Sequence, residues 1–215
     1  MGRLPTFDLA TLTSAGLAVA ARDDWTSVSM RSVAVELGVT PMALYRLVPD
    51  SAALSRSIAD AAAVPIRPEA TSAPLPDALH QWAVRAYGLL GRHRGLASFV
   101  IQEWTELPAW LDVVEALLTH ADAQGLPGEA GVAAVNAVFA YVLVRAQLRD
   151  SAARAPTRQL APVDEDPERY PLIRASVAEY ATARTAKHFE IGLDALIAGL
   201  RPPFDAVRAH TIEKP

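Results

Sequence analysis

The chain has 215 residues, 51% of them apolar, and carries 20 basic against 24 acidic side chains for a net charge of −4. That length holds one large domain or two small ones with a sizeable core, and the acidic balance argues against strong nonspecific affinity for nucleic acid. The absence of cysteine excludes disulfides, thiolate zinc sites and cysteine nucleophiles, and it fits a cytoplasmic protein. Alanine is abundant and strand-favouring runs are few, so the expected class is all-α. No basic segment followed by an apolar run opens the chain, so no signal peptide is expected.

A first helix is expected from about Thr6 to Arg22, with Leu9, Leu12, Gly16, Leu17 and Val19 facing inward. The stretch from Ser29 to Leu54 then reads as two short helices around a tight turn, followed by a third. Ser29 is a plausible N-cap, and Val33, Ala34 and Leu37 share one helical face. Gly38 stands where the chain turns sharply, because glycine reaches positive φ without a Cβ clash. Thr40 is placed to cap the next helix and Pro41 suits its first position. That helix spans about two turns before Pro49 ends it, and Asp50 caps the following one, which runs to about Ala63. A helix, a glycine turn and a short second helix form a helix-turn-helix, whose second helix enters the DNA major groove.

Four prolines between Val64 and Pro76 mark a linker, which divides the chain into 1–63, 64–76 and 77–215. Helices are expected from Pro76 to about Arg92, from Gly95 to Trp104, from Pro108 to Gly125 and from Gly128 to about Arg154. A loop from Ala155 to Pro167 precedes two more, near Glu168 to Tyr180 and Thr182 to Leu200. The longest apolar stretch, Gly131 to Val144, falls short of the roughly 20 residues of a membrane span, so no membrane partner is expected. Two helices are apolar around much of their circumference. One carries Val132, Val135, Phe139, Val142 and Leu143, the other Phe189, Leu193, Leu196, Ile197 and Leu200. Such helices bury two faces, either inside one large core or with the second face against another subunit.

The segments Val39-Thr40 and Leu44-Tyr45, with Leu54 downstream and Ala34 and Gly38 upstream, resemble the TetR family of transcriptional regulators. Phe189 to Leu200 is similar to the last helix of the tetracycline-repressor-like regulatory domain, and His93 to Arg149 to its middle. The resemblance covers nearly the whole chain. It implies a three-helix DNA-binding domain, a helical ligand-binding domain, and a homodimer held by a four-helix bundle across a two-fold axis. It implies operator DNA and a small-molecule effector as partners, with no enzymatic activity and no cofactor.

On that resemblance Arg31 takes a base-contacting position, where arginine can pair bidentately with guanine O6 and N7. Thr40, Pro41, Met42 and Ala43 begin the recognition helix and face the groove. Tyr45 reaches phosphate, Arg46 reaches phosphate or base, and Ser51 approaches phosphate from the next helix. The chain departs from the family at several of these places. Leu47 stands for the usual histidine, Val48 for an aromatic, Ser51 for a lysine and Ala43 for a threonine or serine. Two phosphate anchors are thereby lost, although the helix N-terminus at Ser51 keeps its partial positive charge.

For the ligand, Trp82, Arg85, Phe99, Gln102, Trp104, Trp110, Asn136 and Phe139 lie on helices expected to line a cavity. Three tryptophans, an arginine and two amides suit a flat, partly aromatic molecule with carbonyl or hydroxyl groups; the same aromatics at helical spacing also suit an ordinary core. Phe99 to Ile101 and Leu148 occupy the places of the tetracycline repressor's metal-binding histidine and glutamate, which disfavours a magnesium–tetracycline ligand. His80, His93, His120, His188 and His210 show no metal spacing, and no HExxH, phosphate loop or GxSxG motif occurs. The leading expectation is a repressor released by a small aromatic or apolar molecule through a population shift. The alternative is a protein of the same fold that has lost operator binding and uses its pocket for carriage, or for acid–base chemistry on Arg85, His93, Glu103 or Glu106.

Overall fold

The computed structural model describes residues 7–154, 161–166, 168–176 and 185–200, and no strand occurs among them. Helix α1 (Leu9–Asp23) starts where the Asp8 carboxylate accepts the Thr11 N–H at 2.8 Å, which satisfies one of the free donors of a first turn. Leu12, Ala15, Gly16, Val19 and Ala20 are buried; Leu9, expected inside, is 46% exposed because it lies ahead of the arc that meets the other helices. The chain leaves α1 through Asp24, whose φ of 86° is rarely adopted by side chains other than glycine. Its carboxylate accepts the N–H and hydroxyl of Thr26, both at 2.7 Å, and holds a one-turn 3-10 segment, Trp25–Ser27.

Helix α2 (Met30–Leu37) opens with a reciprocal cap. Ser29 Oγ accepts the Ser32 N–H at 3.1 Å, and Ser32 Oγ accepts the Ser29 N–H at 2.9 Å. Gly38, at φ 66°, ends it, and the Val39 N–H returns to the Ala34 carbonyl at 2.9 Å. Helix α3 (Pro41–Leu44) is shorter than expected, one turn of α-helix continued by a turn over 45–47. Thr40 precedes it without a side-chain capping bond, so its hydroxyl is not spent on the helix. Asp50 does cap α4 (Ser51–Ala63), accepting the Ala53 N–H at 2.7 Å.

Helix α1 crosses α4 at Gly16, where a Cβ would run into the fully buried Ile58 side chain, with Cγ1 only 2.6 Å away. Neighbours pinned on every side cannot yield, so Gly16→Ala is expected to cost about 1–3 kcal/mol by overpacking. Urea unfolding of the two proteins measures it, and an unchanged midpoint would disprove the close approach.

Seven more helices follow among the described residues: α5 (Leu75–Arg92), α6 (Leu96–Glu103), α7 (Pro108–Ala123), α8 (Gly128–Arg154), the short α9 (Ala161–Glu165) and α10 (Pro171–Ala175), and α11 (Ala186–Gly199). The expected loop from Ala155 to Pro167 thus contains the short α9, while 155–160 and 167 lie outside the described residues. Of the helix expected over 168–180, five residues form α10, and 177–180 lie outside the description, as do 182–184 of the last helix.

Helix α8 runs through the middle of this half and packs against α5, α6, α7 and α11. Its segment Gly128–Ser151, 24 residues, is long and apolar enough to cross a membrane by length and composition, which corrects the shorter apolar stretch read from the sequence. The helix passes through Asn136 and Arg145 unbroken. Its buried residues, Ala134, Val135, Val138, Phe139, Val142, Leu143 and Ala146, belong to one core cluster that extends from Leu12 to Ile197.

That cluster continues across α4 into α6 and α7. Asp60 accepts the Ala109 N–H at 2.6 Å, and Trp110 Nε1 donates to the Ala59 carbonyl at 2.8 Å. Helix α7 has no side-chain cap from its own N-cap residue, Leu107; the Asp60 carboxylate supplies the acceptor instead. A second joint lies beside α6, where the Trp25 N–H donates to the Arg94 carbonyl at 2.8 Å and the Trp25 ring sits 5.1 Å from Phe99.

Candidate functional site

The helix-turn-helix turns one side inward and one outward. Val33, Ala34, Leu44, Val48 and Leu54 are buried, and Met30 nearly so. Arg31, Thr40, Pro41, Met42, Tyr45, Arg46 and Ser51 are exposed and Ala43 is half-buried. Met42 is 74% exposed and Tyr45 49%, a large apolar area for so short a helix to leave in water.

Charge on this face differs from the net count. Each acidic group of residues 7–60 already has a structural partner. Asp8, Asp24 and Asp50 accept local N–H groups, Asp23 and Glu36 hold Arg22 at 2.9 and 2.8 Å, and Asp60 accepts from Ala109. Arg56 lies 3.8 Å from Glu103. Arg31, on α2, and Arg46, in the turn that follows α3, are exposed and have no ion pair among the described residues. They are the arginines of residues 7–60 without an ion pair, while the carboxylates that accept N–H groups keep their negative charge. Burial of the Asp60 carboxyl pushes its pKa up, and the N–H groups of Ala109 and Trp110 oppose that shift.

The candidate ligand residues separate into two groups. Trp82, Trp104, Trp110 and Phe139 come together. Phe139 lies 5.7 Å from Trp82 with nearly parallel rings, 5.8 Å from Trp104 and 6.2 Å edge-on from Trp110. Trp82 and Trp110 are fully buried, Phe139 is 6% exposed, and Trp104 is half-buried on the 3-10 turn Trp104–Glu106. Phe99 is half-buried against Trp25 instead. Arg85, Gln102 and Asn136, expected to line an interior cavity, are exposed. Arg85 follows Trp82 by about 300° of helical rotation, which carries it past the edge of the buried arc of α5. Asn136 falls on the open side of α8 with Val132, Ala140, Val144 and Leu148, at four-residue intervals. The four groups considered for acid–base chemistry are dispersed: Arg85 and Glu106 are exposed, Glu103 pairs with Arg56, and His93 is buried in the α5–α6 turn. Burial, reinforced by Arg92, holds the His93 pKa below its ordinary value.

A buried polar node escaped the sequence reading. Asp150, 3% exposed, accepts the Gly95 N–H at 2.8 Å and two Arg149 N–H groups at 3.3 Å. Arg149 also donates to the Tyr87 carbonyl at 3.1 Å and lies 4.4 Å from the Tyr87 ring centre. Tyr87 stacks on Phe189 of α11 at 3.9 Å, and the Tyr141 hydroxyl donates to the Phe189 carbonyl at 3.0 Å. Burial raises the Tyr141 pKa.

The family model for the tetracyclin repressor-like C-terminal domain matches residues 68–203. The HTH-type transcriptional repressor DrrR1 of Streptomyces coeruleorubidus is 30% identical over 217 residues, which cover 93% of this chain and 79% of that protein. The chain belongs to the TetR family of transcriptional regulators. Solved structures share the fold. ActR of Streptomyces coelicolor, in complex with (S)-DNPA, superposes with a TM-score of 0.69 at 20% identity, over 91% of this chain and 98% of that one. BioQ with its double-stranded DNA operator gives a TM-score of 0.64 at 21% identity, again over 91% and 98%.

Within this TetR-family protein the departures at the motif have visible consequences. Val48, in place of the usual aromatic, is 2% exposed and serves the core. Leu47, in place of the usual histidine, is 37% exposed and offers no hydrogen bond. Ser51 is exposed at the first turn of α4, beside the free N–H groups of that helix end.

Proposed function

We propose that this regulator binds operator DNA as a homodimer and is released by a small aromatic or apolar molecule taken up by the Trp82–Trp104–Trp110–Phe139 cluster. The observation that carries the DNA reading is the exposure of the motif: Arg31 and Arg46 stand without ion pairs beside the exposed Thr40, Met42 and Tyr45. Arg31 reads a base edge, Thr40 to Ala43 face the groove, and Tyr45, Arg46 and Ser51 meet phosphates, with the N–H groups of α4 in place of the missing lysine. BioQ, with the same fold, is bound to an operator in its structure, and ActR to (S)-DNPA; both support the reading.

Dimerisation takes the open stripe of α8, where Val132, Val144 and Leu148 are 40–45% exposed, together with Ile191 of α11 at 55%. Sedimentation should give twice the 23.0 kDa chain mass. Release follows from the tie between the cluster and α4. Trp110 is both a wall of the cluster and the donor to Ala59, so a ligand that displaces the ring shifts α4 and the helices packed on it. The ligand moves the balance between DNA-competent and released forms by its differential affinity for them.

The test is binding to the protein's own upstream duplex and to random duplex across a salt series. Wild type should be selective, with a steep salt slope. Arg31→Ala is expected to weaken specific binding by about 1–3 kcal/mol and relax specificity at one base. Arg46→Ala should weaken all duplexes and reduce the slope by about one if it meets phosphate. No selective binding at low salt would overturn the repressor reading in favour of a pocket protein without operator affinity.

A further inference from the structure

We infer that helix α3 reads thymine through its 5-methyl group, with Met42 as the side chain that determines this specificity. The inference rests on the DNA reading above and adds what the operator must carry beneath α3.

Helix α3 is Pro41-Met42-Ala43-Leu44, and none of these side chains carries a hydrogen-bond donor. Met42 is 74% exposed, while Leu44 is fully buried. Two residues on a helix are separated by about 200°, so Met42 points almost directly away from the core that Leu44 and Val48 hold. Its thioether is at best a weak acceptor, and the rest of the side chain is hydrocarbon. The half-buried Ala43 adds a methyl group. The exposed Thr40 adds another, together with a hydroxyl that makes no capping bond.

The charges beside this apolar tip select its occupant. Arg31 lies on α2, which packs against α3, and Arg46 in the turn that follows α3; both are exposed and without an ion pair among the described residues. An apolar protein surface closing over Met42 would desolvate these two cations without pairing them, which is costly. A duplex offers phosphates at the rims of its major groove and base edges between them. The only apolar group on those edges is the thymine methyl. The other bases present donors and acceptors there, which a methionine side chain would strip of water and not replace. Met42 therefore matches a thymine, next to bases read by Arg31 through hydrogen bonds.

The test starts from a duplex that the full chain enriches out of a random-sequence library. It is remade with deoxyuridine for thymidine, which deletes the methyl and keeps every hydrogen-bonding group. At the sensitive position, 5-methylcytosine·guanine and cytosine·guanine pairs are then compared, so that a methyl is restored among different polar groups. Fluorescence anisotropy measures the affinities. Uracil should weaken wild type by about ten-fold, the product of about three-fold for one methyl in each of two half-sites. The methylated cytosine should bind more tightly than the plain one by a similar factor. Met42→Ala, a change at an exposed position, should bring thymine and uracil duplexes within about three-fold of each other. Arg31→Ala should bind both more weakly and keep the full uracil penalty, which separates the methyl contact from binding strength in general. Equal affinity for thymine and uracil duplexes in wild type, or an undiminished penalty in Met42→Ala, would overturn the methyl reading while leaving the DNA reading intact. An unchanged affinity of Met42→Ala for the thymine duplex would also overturn it and assign the exposed side chain to a contact with another protein. Failure to enrich any sequence would remove the DNA reading itself.

Discussion

Trp110→Ala is expected to lower the unfolding free energy by about 3–5 kcal/mol, the range for truncating a large buried aromatic. The side chain is fully buried, and α4, α7 and α8 all meet around it. Its removal leaves a cavity beside Phe139 and takes the indole N–H away from the Ala59 carbonyl of α4. Trp110→Phe separates the two effects. It keeps most of the ring and loses only the N–H, for a cost of about 1 kcal/mol. Urea unfolding measures both. A loss below about 1 kcal/mol for the alanine variant would mean that the surrounding helices close over the gap, so that the site is not rigidly packed. In the phenylalanine variant the effector should still bind, yet release less DNA, because the link to α4 is gone.

Asp150→Ala should be the second costly change. Removing one partner of a buried pair typically costs about 3–5 kcal/mol, and Arg149, at 24% side-chain exposure, recovers part of that by reaching water. About 2–3 kcal/mol is therefore expected, with the Gly95 N–H also left unpaired. Asp150→Asn retains an acceptor for Gly95 and gives up only the charge opposite Arg149, so it should lose clearly less. Thermal unfolding of the pair distinguishes them. Equal losses would assign the role to the Arg149 contact alone and not to the turn at Gly95.

These two residues illustrate what the sequence does and does not convey. The caps at Ser29 and Asp50 and the turn at Gly38 act over three to five residues, so the pattern that creates them is contiguous and readable. The amphipathic spacing that placed Leu44 and Leu54 in the core is equally local. Asp60 and Asp150 meet N–H groups 49 and 55 residues away, and nothing beside them in the chain separates them from acids that face water. The aromatic cluster was half visible: tryptophan and phenylalanine indicate burial by composition, and Trp82, Trp104, Trp110 and Phe139 do converge. Residue type alone groups Arg85, Gln102 and Asn136 with the cluster, whereas the helical phase places each on the open side. Thr40 looked like a cap by position, yet its hydroxyl makes no such bond.

The clasp of Asp60 and Ala59 on the first turn of α7 bears on how regulators of this kind can be recombined. The proline-rich stretch between 64 and 76 looks like the natural place to join the C-terminal half to another DNA reader. A join there would strip α7 of its carboxylate cap and leave the Trp110 N–H facing a foreign backbone. A hybrid that keeps these two bonds would need α4 to travel with the half it completes, and would then have to rebuild the packing of Ile58 on Gly16 of α1 and the Asp50 cap. The packing unit of the C-terminal half is in that sense one helix longer than the proline-marked boundary suggests.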